Sequence, residues 1–288
     1  MEILLYTAFT DTPDGGNPAG VVLDAGPLTP ARMQAIAADL GYAESAFLTD
    51  RSPGHASVRY FAPESEIPFC GHATIATGVA LAEREGPGTL ILATPAGQLE
   101  LTTERIGDGL VASLVTVEPW VGEIDDAVRA DLLRHLRLDE ADLSTGLPVM
   151  LAFAGNVHPI VPVQSSAVLH ALDYDYDGLK TFMAEQGWGA TIAVVHRLAP
   201  EVFEARNPFP PGGVREDPAT GSAAAALGAY LRDRGELTSP AVLTVHQGSD
   251  VGRPSVITVA IPEAGGVTVS GRAVQIGDSW REDPSAPG

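Results

Sequence analysis

Short hydrophobic runs, several of them alternating with polar positions, recur along most of the chain and are cut by turns rich in glycine and proline. ILLYTAF (3–9) and GVVLD (20–24) read as strands flanking TDTPDGGNPA, whose Pro-Asp-Gly-Gly cluster reads as a loop. Thr29-Pro30 opens a helical stretch to about residue 40: threonine suits the N-cap, proline the first helical position and Gly41 the exit. ESAFLT (44–49) and ASVRYF (56–61) are further strands. GHATIATGVALAEREG (71–86) has the small, apolar make-up of a buried helix until charge arrives in its last turn and Gly86-Pro87 stops it. TLILAT and QLELTT pair as a hairpin around Pro95-Ala96-Gly97, and GLVASLVTV follows as a strand.

The composition shifts at Glu118-Pro119-Trp120, and the pattern divides there into residues 1–118 and 119–277, with 278–288 as a flexible tail. DDAVRADLLRHL is a polar amphipathic helix; strands near 148–154, 158–163 and 191–196 lead to the turn NPFPPGGVREDP. A second small-residue helix, TGSAAAALGAYLRDRG (220–235), precedes the strands AVLTVHQ, SVITVAI and GVTVSGRAV. An offset of 150 pairs Gly71 with Gly221, Ala73 with Ala223, Gly78 with Gly228 and Arg84 with Arg234. A glycine inside a helix costs about 1 kcal/mol against alanine, and a close approach of surrounding backbone would justify it at both places. The expected fold is α+β: two similar halves, each a curled sheet around one apolar helix, with both helix starts facing the boundary between them.

With 288 residues and 45% apolar content, two domains can each bury a core. The 17 Lys+Arg against 37 Asp+Glu give a net charge of −20, and Lys180 is the only lysine. No cationic stripe is present for a nucleic-acid backbone or an anionic membrane surface. Cys70 is the single cysteine, so no internal disulfide forms and no zinc framework is spelled out. The N-terminus lacks the features of a signal peptide, and no apolar run reaches the roughly 20 residues of a membrane span. A cytoplasmic protein is the expectation.

A helix N-terminus presents unpaired N–H groups and partial positive charge, which attract an anion. Either glycine start alone is as readily a tight turn; two matching starts favour a site for a small-molecule carboxylate. Glu44, amid small and apolar neighbours, suits a general acid/base if shielded from water, although an exposed strand-end carboxylate is the simpler reading. Asp217 suits N-capping or neutralising Arg215. His72 is a hydrogen-bond donor to substrate or a satisfied structural histidine. Cys70 is a nucleophile, a proton carrier or a small buried hydrophobe. Ser222 shows no evident His/Asp partners, no second histidine lies at metal-ligand spacing, and the glycines fit no nucleotide-binding spacing. Neither a metal nor a cofactor is expected.

The blocks GGNPAGVV (15–22), ESAFL (44–48), VRYFAPESEIPFCGHATIATGVAL (58–81), EDPATGSAAAALGAYL (216–231) and QGSDVGRPS (247–255) resemble the PhzF-like phenazine-biosynthesis isomerase family over nearly the whole chain. The resemblance implies the diaminopimelate epimerase-like fold, two pseudo-symmetric barrel-like halves each enclosing a helix, and a homodimer. It implies that Glu44 removes a proton from one substrate carbon and returns it to another, while His72 and Asp217 hold and polarise the substrate. Asn17, Gly71, Ala73, Gly221 and Ser222 match the substrate-binding loop and helix starts. The implied reaction is a cofactor-independent proton shift in a cyclic or unsaturated amino-carboxylate, as in bacterial secondary metabolism. Ala43 stands where serine is common, Pro208 where an aromatic is common, and Thr220 where related racemases carry a second cysteine. A two-thiol racemase is therefore disfavoured. A one-base epimerase or dehydratase using Cys70, and a non-catalytic carboxylate-binding protein, stay open as alternatives.

Overall fold

The computed structural model describes residues 1–277 and the backbone of Trp280 and Arg281. In chain order the first part comprises β1 (Glu2–Ala8), β2 (Asn17–Val22), α1 (Pro30–Leu40), β3 (Glu44–Ser52), β4 (His55–Phe61), β5 (Glu66–Ile67), α2 (Gly71–Glu85), β6 (Thr89–Thr94), β7 (Gly97–Ile106) and β8 (Gly109–Val115). The second comprises β9 (Trp120–Gly122), α3 (Asp126–Leu136), β10 (Met150–Phe153), β11 (Val157–Pro162), α4 (Ser166–His170), α5 (Tyr176–Glu185), β12 (Ala193–Ala199), β13 (Val202–Arg206), α6 (Gly221–Asp233), β14 (Ala241–Gln247) and β15 (Ser255–Ile261). Then come β16 (Thr268–Gln275) and β17 (Trp280–Arg281).

The chain divides into two compact units, Met1–Val115 with the segment from Ser270 onward, and Thr116–Val269. This corrects the linear division of the sequence. The first boundary lies within a few residues of the expected one, but the last strand returns to the first unit. There it pairs antiparallel with β1, Tyr6 opposite Gln275 and Ala8 opposite Ala273. A hydrophobicity pattern marks a strand without naming its partner, so the return was invisible in the sequence. Of the tail expected at 278–288, Trp280 and Arg281 pair with Ile3 and Glu2, and the remainder lies outside the described residues.

In the first unit β1, β2, β3, β4, β6, β7, β8 and β16 close into an eight-stranded barrel. Two neighbouring pairs are parallel, β2 with β3 and β4 with β6, and each needs a helix to cross over. Helix α1 makes the first crossing outside, burying Met33 and Ile36 against Ile3, Val22, Phe47 and Phe61. Helix α2 makes the second inside the barrel, against β1, β2, β3, β7 and β8. The second unit repeats this order, β9 to β15, with β11–β12 and β13–β14 parallel. Here α6 is the inner helix, packed on β9, β10, β11 and β15. The outer crossover carries α4 and α5, neither of which the sequence reading anticipated; α5 and α3 build a separate core on Leu132, Leu136, Leu179, Phe182, Met183 and Trp188.

The inner helices explain their glycines. A Cβ on Gly78 would lie 3.0 Å from Leu101 Cδ2 and 3.1 Å from Ala112 Cβ; on Gly228 it would lie 3.2 Å from atoms of Ile261 and Val259. The close approach comes from strand side chains, not from backbone as expected. Both helices are slightly shorter than read. Gly86 leaves helical geometry at φ 91°, and Thr220 and Arg234 flank α6 as its caps.

Candidate active site

In the first unit three elements bring four polar side chains together. Gly16 adopts φ 64°, and a Cβ there would strike Ala8 O at 2.2 Å, so only glycine lets the loop deliver Asn17 to the start of β2. Strand β3 runs parallel to β2 with Glu44 beside Ala19, which sets Glu44 at the strand's first position. Helix α2 opens after Cys70, its N-cap, whose carbonyl accepts from Thr74 N and from Thr74 Oγ1. The Tyr60 hydroxyl lies 2.6 Å from Thr74 Oγ1 and ties this first turn to β4.

His72 is the hub. Its Nε2 is 3.4 Å from Glu44 Oε2, and its Nδ1 is 3.2 Å from Asn17 Nδ2. The imidazole is 7% exposed and the Glu44 side chain 17%. Burial drives the His72 pKa down to about 4, only partly opposed by a hydrogen bond to the Pro18 backbone. The ring is therefore neutral at pH 7 and adds no positive charge beside the carboxylate. Gly71 is open on its outer side: an added Cβ would meet only the Phe69 ring, at 3.9 Å. Ala73, fully buried, completes the run of first-turn amides.

Cys70 Sγ lies 3.4 Å from His72 Nδ1 and 3.8 Å from Nε2. Glu44, Cys70 and His72 each offer one donor atom within 4.8 Å of the others, a set that a search for paired histidines overlooks. The sulfur is nearly equidistant from both ring nitrogens.

In the second unit Asp217 sits in the turn before α6. Its N–H donates to Asn207 O, its carboxylate accepts the Thr220 hydroxyl, and its carbonyl accepts from Gln247 Nε2 at 2.7 Å. Gln247 Oε1 takes the Thr220 N–H, and Ser255 Oγ donates to Pro218 O. Gly248 has φ 80°, and a Cβ there would lie 2.5 Å from Pro218 O. The QGSDVGRPS segment is thus the frame of the Asp217 turn, a role the sequence reading did not assign. The N-cap position is Thr220, while Arg215 lies over the Tyr174 ring and pairs with Asp173. Gly221 and Ser222 open the helix, as Gly71 and His72 open α2.

Ser222 corrects the sequence reading. A histidine partner is present: His158 Nε2 lies 2.9 Å from Ser222 Oγ, and His158 Nδ1 lies 2.9 Å from Thr191 O. His158 is fully buried in β11, and burial lowers its pKa to about 4. A lone histidine in the apolar run VHPIVP, 64 residues from Ser222, carries no local signal of this contact.

The family model described as phenazine biosynthesis-like protein, PhzC-PhzF, matches residues 6–278. The chain belongs to the PhzF family. An uncharacterized isomerase, YddE, of Escherichia coli O157:H7 is similar to this PhzF member, 35% identical over 285 residues and 95% of each chain. A trans-2,3-dihydro-3-hydroxyanthranilate isomerase of Pseudomonas fluorescens is 31% identical over 257 residues, 88% of each chain. The crystal structure of a PhzF-family phenazine biosynthesis protein from Bacillus anthracis superposes with a TM-score of 0.86 at 27% identity, covering 97% of this chain and 98% of that one. The expected diaminopimelate epimerase-like α+β class holds, and the protein is an isomerase or epimerase of this family. Among the described residues no helix is long and apolar enough to cross a membrane.

Proposed function

We propose that this PhzF member moves a proton between two carbons of a small cyclic or unsaturated amino-carboxylate without a cofactor. Glu44 is the shuttle, His72 and Asp217 hold and polarise the substrate, and Asn17, Gly71, Ala73, Gly221 and Ser222 bind it. The observation that carries the reading is the Glu44–His72 contact, 3.4 Å long, largely buried and set at the start of an inner helix. A carboxylate there takes a proton from an acidic carbon, the electron pair moves through the adjacent unsaturation, and the resulting carboxylic acid, whose hydrogen exchanges with solvent, delivers a proton to the far carbon. No proton is gained or lost overall. Holding one group within reach of both carbons supplies by orientation what a cofactor supplies elsewhere. The first-turn amides of α2 and α6 suit the substrate's negative charge.

A second reading has one observation in its favour. Cys70 Sγ is 3.4 Å from His72 Nδ1, so a thiol could act as the single base of an epimerase or dehydratase.

Trans-2,3-dihydro-3-hydroxyanthranilate, the compound in the Pseudomonas relative's name, is the first substrate to try. Incubation in deuterium oxide followed by NMR should show an isomer carrying deuterium at one carbon. Recovery of starting material with no exchange from this and other unsaturated amino-carboxylates would remove the proposal. Sedimentation of the pure protein tests the homodimer that the resemblance implies.

A further inference from the structure

We infer that His158 is a positioning residue that fixes the Ser222 hydroxyl at the start of α6, as Asn17 meets His72 at the start of α2. The inference rests on the reading of α6's first turn as part of the substrate site. It is carried by strand register. In the first unit Asn17 stands two residues before Ala19, the position of β2 paired with the first residue of β3. In the second, His158 stands two residues before Ile160, the position of β11 paired with Ala193, the first residue of β12. The two side chains thus occupy the same place in their respective units, on the strand before the outer crossover. Each meets the second residue of the inner helix: Asn17 Nδ2 to His72 Nδ1 at 3.2 Å, His158 Nε2 to Ser222 Oγ at 2.9 Å. The histidine has changed sides between the units, but the contact has been kept.

The orientation of the His158 ring follows from what it faces. The Thr191 carbonyl, 2.9 Å from Nδ1, can only accept, so Nδ1 carries the proton. Nε2 is then a lone pair, and the bond to Ser222 runs from the serine hydroxyl to the ring. Thr191 is held in turn: its Oγ1 is 3.1 Å from Nδ1 and accepts from Asn207 Nδ2 at 2.9 Å. Asn207 also accepts, through its carbonyl, from the Asp217 N–H at 3.0 Å. One chain of contacts therefore links Ser222, His158, Thr191 and Asn207 to the backbone that carries Asp217. A buried side chain held through successive hydrogen bonds is fixed more firmly than one contact would achieve.

Calorimetric titration with anthranilate, a stable amino-carboxylate, tests this in a double-mutant cycle of His158→Asn and Ser222→Ala. Asparagine can keep a donor toward Thr191 but is too short to reach Ser222; His158→Gln reaches Ser222 and serves as the rescue. The expected result is that Ser222→Ala and His158→Asn each weaken binding about tenfold, the value of one hydrogen bond. That bond runs from the anthranilate amino group to the Ser222 oxygen, whose own proton points to His158 Nε2. The double variant should be no weaker than either single one, and His158→Gln should lie within about threefold of wild type. Full binding by His158→Asn beside a weakened Ser222→Ala would overturn the inference and leave the proposed function standing. Losses that multiply in the double variant would overturn it too, because His158 would then act independently of Ser222. Unchanged binding by Ser222→Ala would overturn the assignment of Ser222 to the substrate site, and this inference with it. Thermal melts verify that each variant is folded; if His158→Asn is not, Ser222 coupling is read from His158→Gln against His158→Phe.

Discussion

Acidification should destabilise this protein through its two buried histidines. The ordinary histidine pKa of 6.5 falls to about 4 for both His72 and His158 in the folded state. Above pH 6.5 the ring is neutral whether the chain is folded or not, and the fold has its full stability. Between 6.5 and 4 the unfolded chain binds a proton that the folded chain excludes, so stability falls with pH and continues to fall until the folded ring titrates. Each pH unit in that window costs about 1.4 kcal/mol per histidine, so the drop from 6.5 to 5 costs about 2 kcal/mol for each. Urea unfolding of wild type, His72→Gln and His158→Gln at pH 7 and pH 5 isolates the effect. Every variant loses some stability on acidification, but each glutamine variant should lose about 2 kcal/mol less than wild type. If the two units unfold in separate transitions, each substitution should act on the transition of its own unit, His72 on the first and His158 on the second. Equal acid losses in wild type and both variants would refute the reasoning, because the rings would then be charged in the folded state or accessible to water.

Arg206 is buried with Glu216, their side chains 11% and 5% exposed, and Arg206 Nη1 donates to the carbonyls of Leu169, His170 and Leu172. Arg206→Met leaves a buried carboxylate and three carbonyls without their partner, and should cost about 3–5 kcal/mol in thermal or urea melts. Gly78→Val should destabilise by about 1–3 kcal/mol, since even its Cβ would lie 3.0 Å from Leu101 Cδ2 and 3.1 Å from Ala112 Cβ, and valine adds two methyl groups beyond it. Gly228→Ala should be near neutral in the same melts, because its neighbours are the side-chain carbons of Ile261 and Val259 and the helix gains about 1 kcal/mol.

Much of the fold was legible because local rules set it. Thr29, Pro30 and Gly41 bound α1 as read: Thr29 Oγ1 accepts from Arg32 N, and Gly41 is left-handed at φ 64°. The hairpin at Pro95-Ala96 closes with Thr94 opposite Gly97. The duplication seen in Gly71/Gly221 and Gly78/Gly228 reappears as the same order of parallel and antiparallel strands in the two units. What was missed depends on pairing at a distance. The return of β16 to β1 joins residues at opposite ends of the chain. His158 escaped for a related reason: it corresponds to Asn17 at an offset of 158 − 17 = 141 residues, not the 150 that aligns the helices. Crossover lengths differ between the units, so only the register of β11 on β12 reveals the match. The roles of Glu44, His72 and Asp217 were implied by the family blocks. Composition alone favoured an exposed strand end for the first and an N-cap for the last.

The central claim is that Glu44, not Cys70, carries the proton. Substrate deuteration in heavy water, followed by NMR for wild type, Glu44→Gln and Cys70→Ala, measures that step directly. The account predicts that Glu44→Gln lowers the exchange rate by about 10²–10⁴-fold while Cys70→Ala stays close to wild type. Exchange that survives in Glu44→Gln and disappears in Cys70→Ala would contradict it.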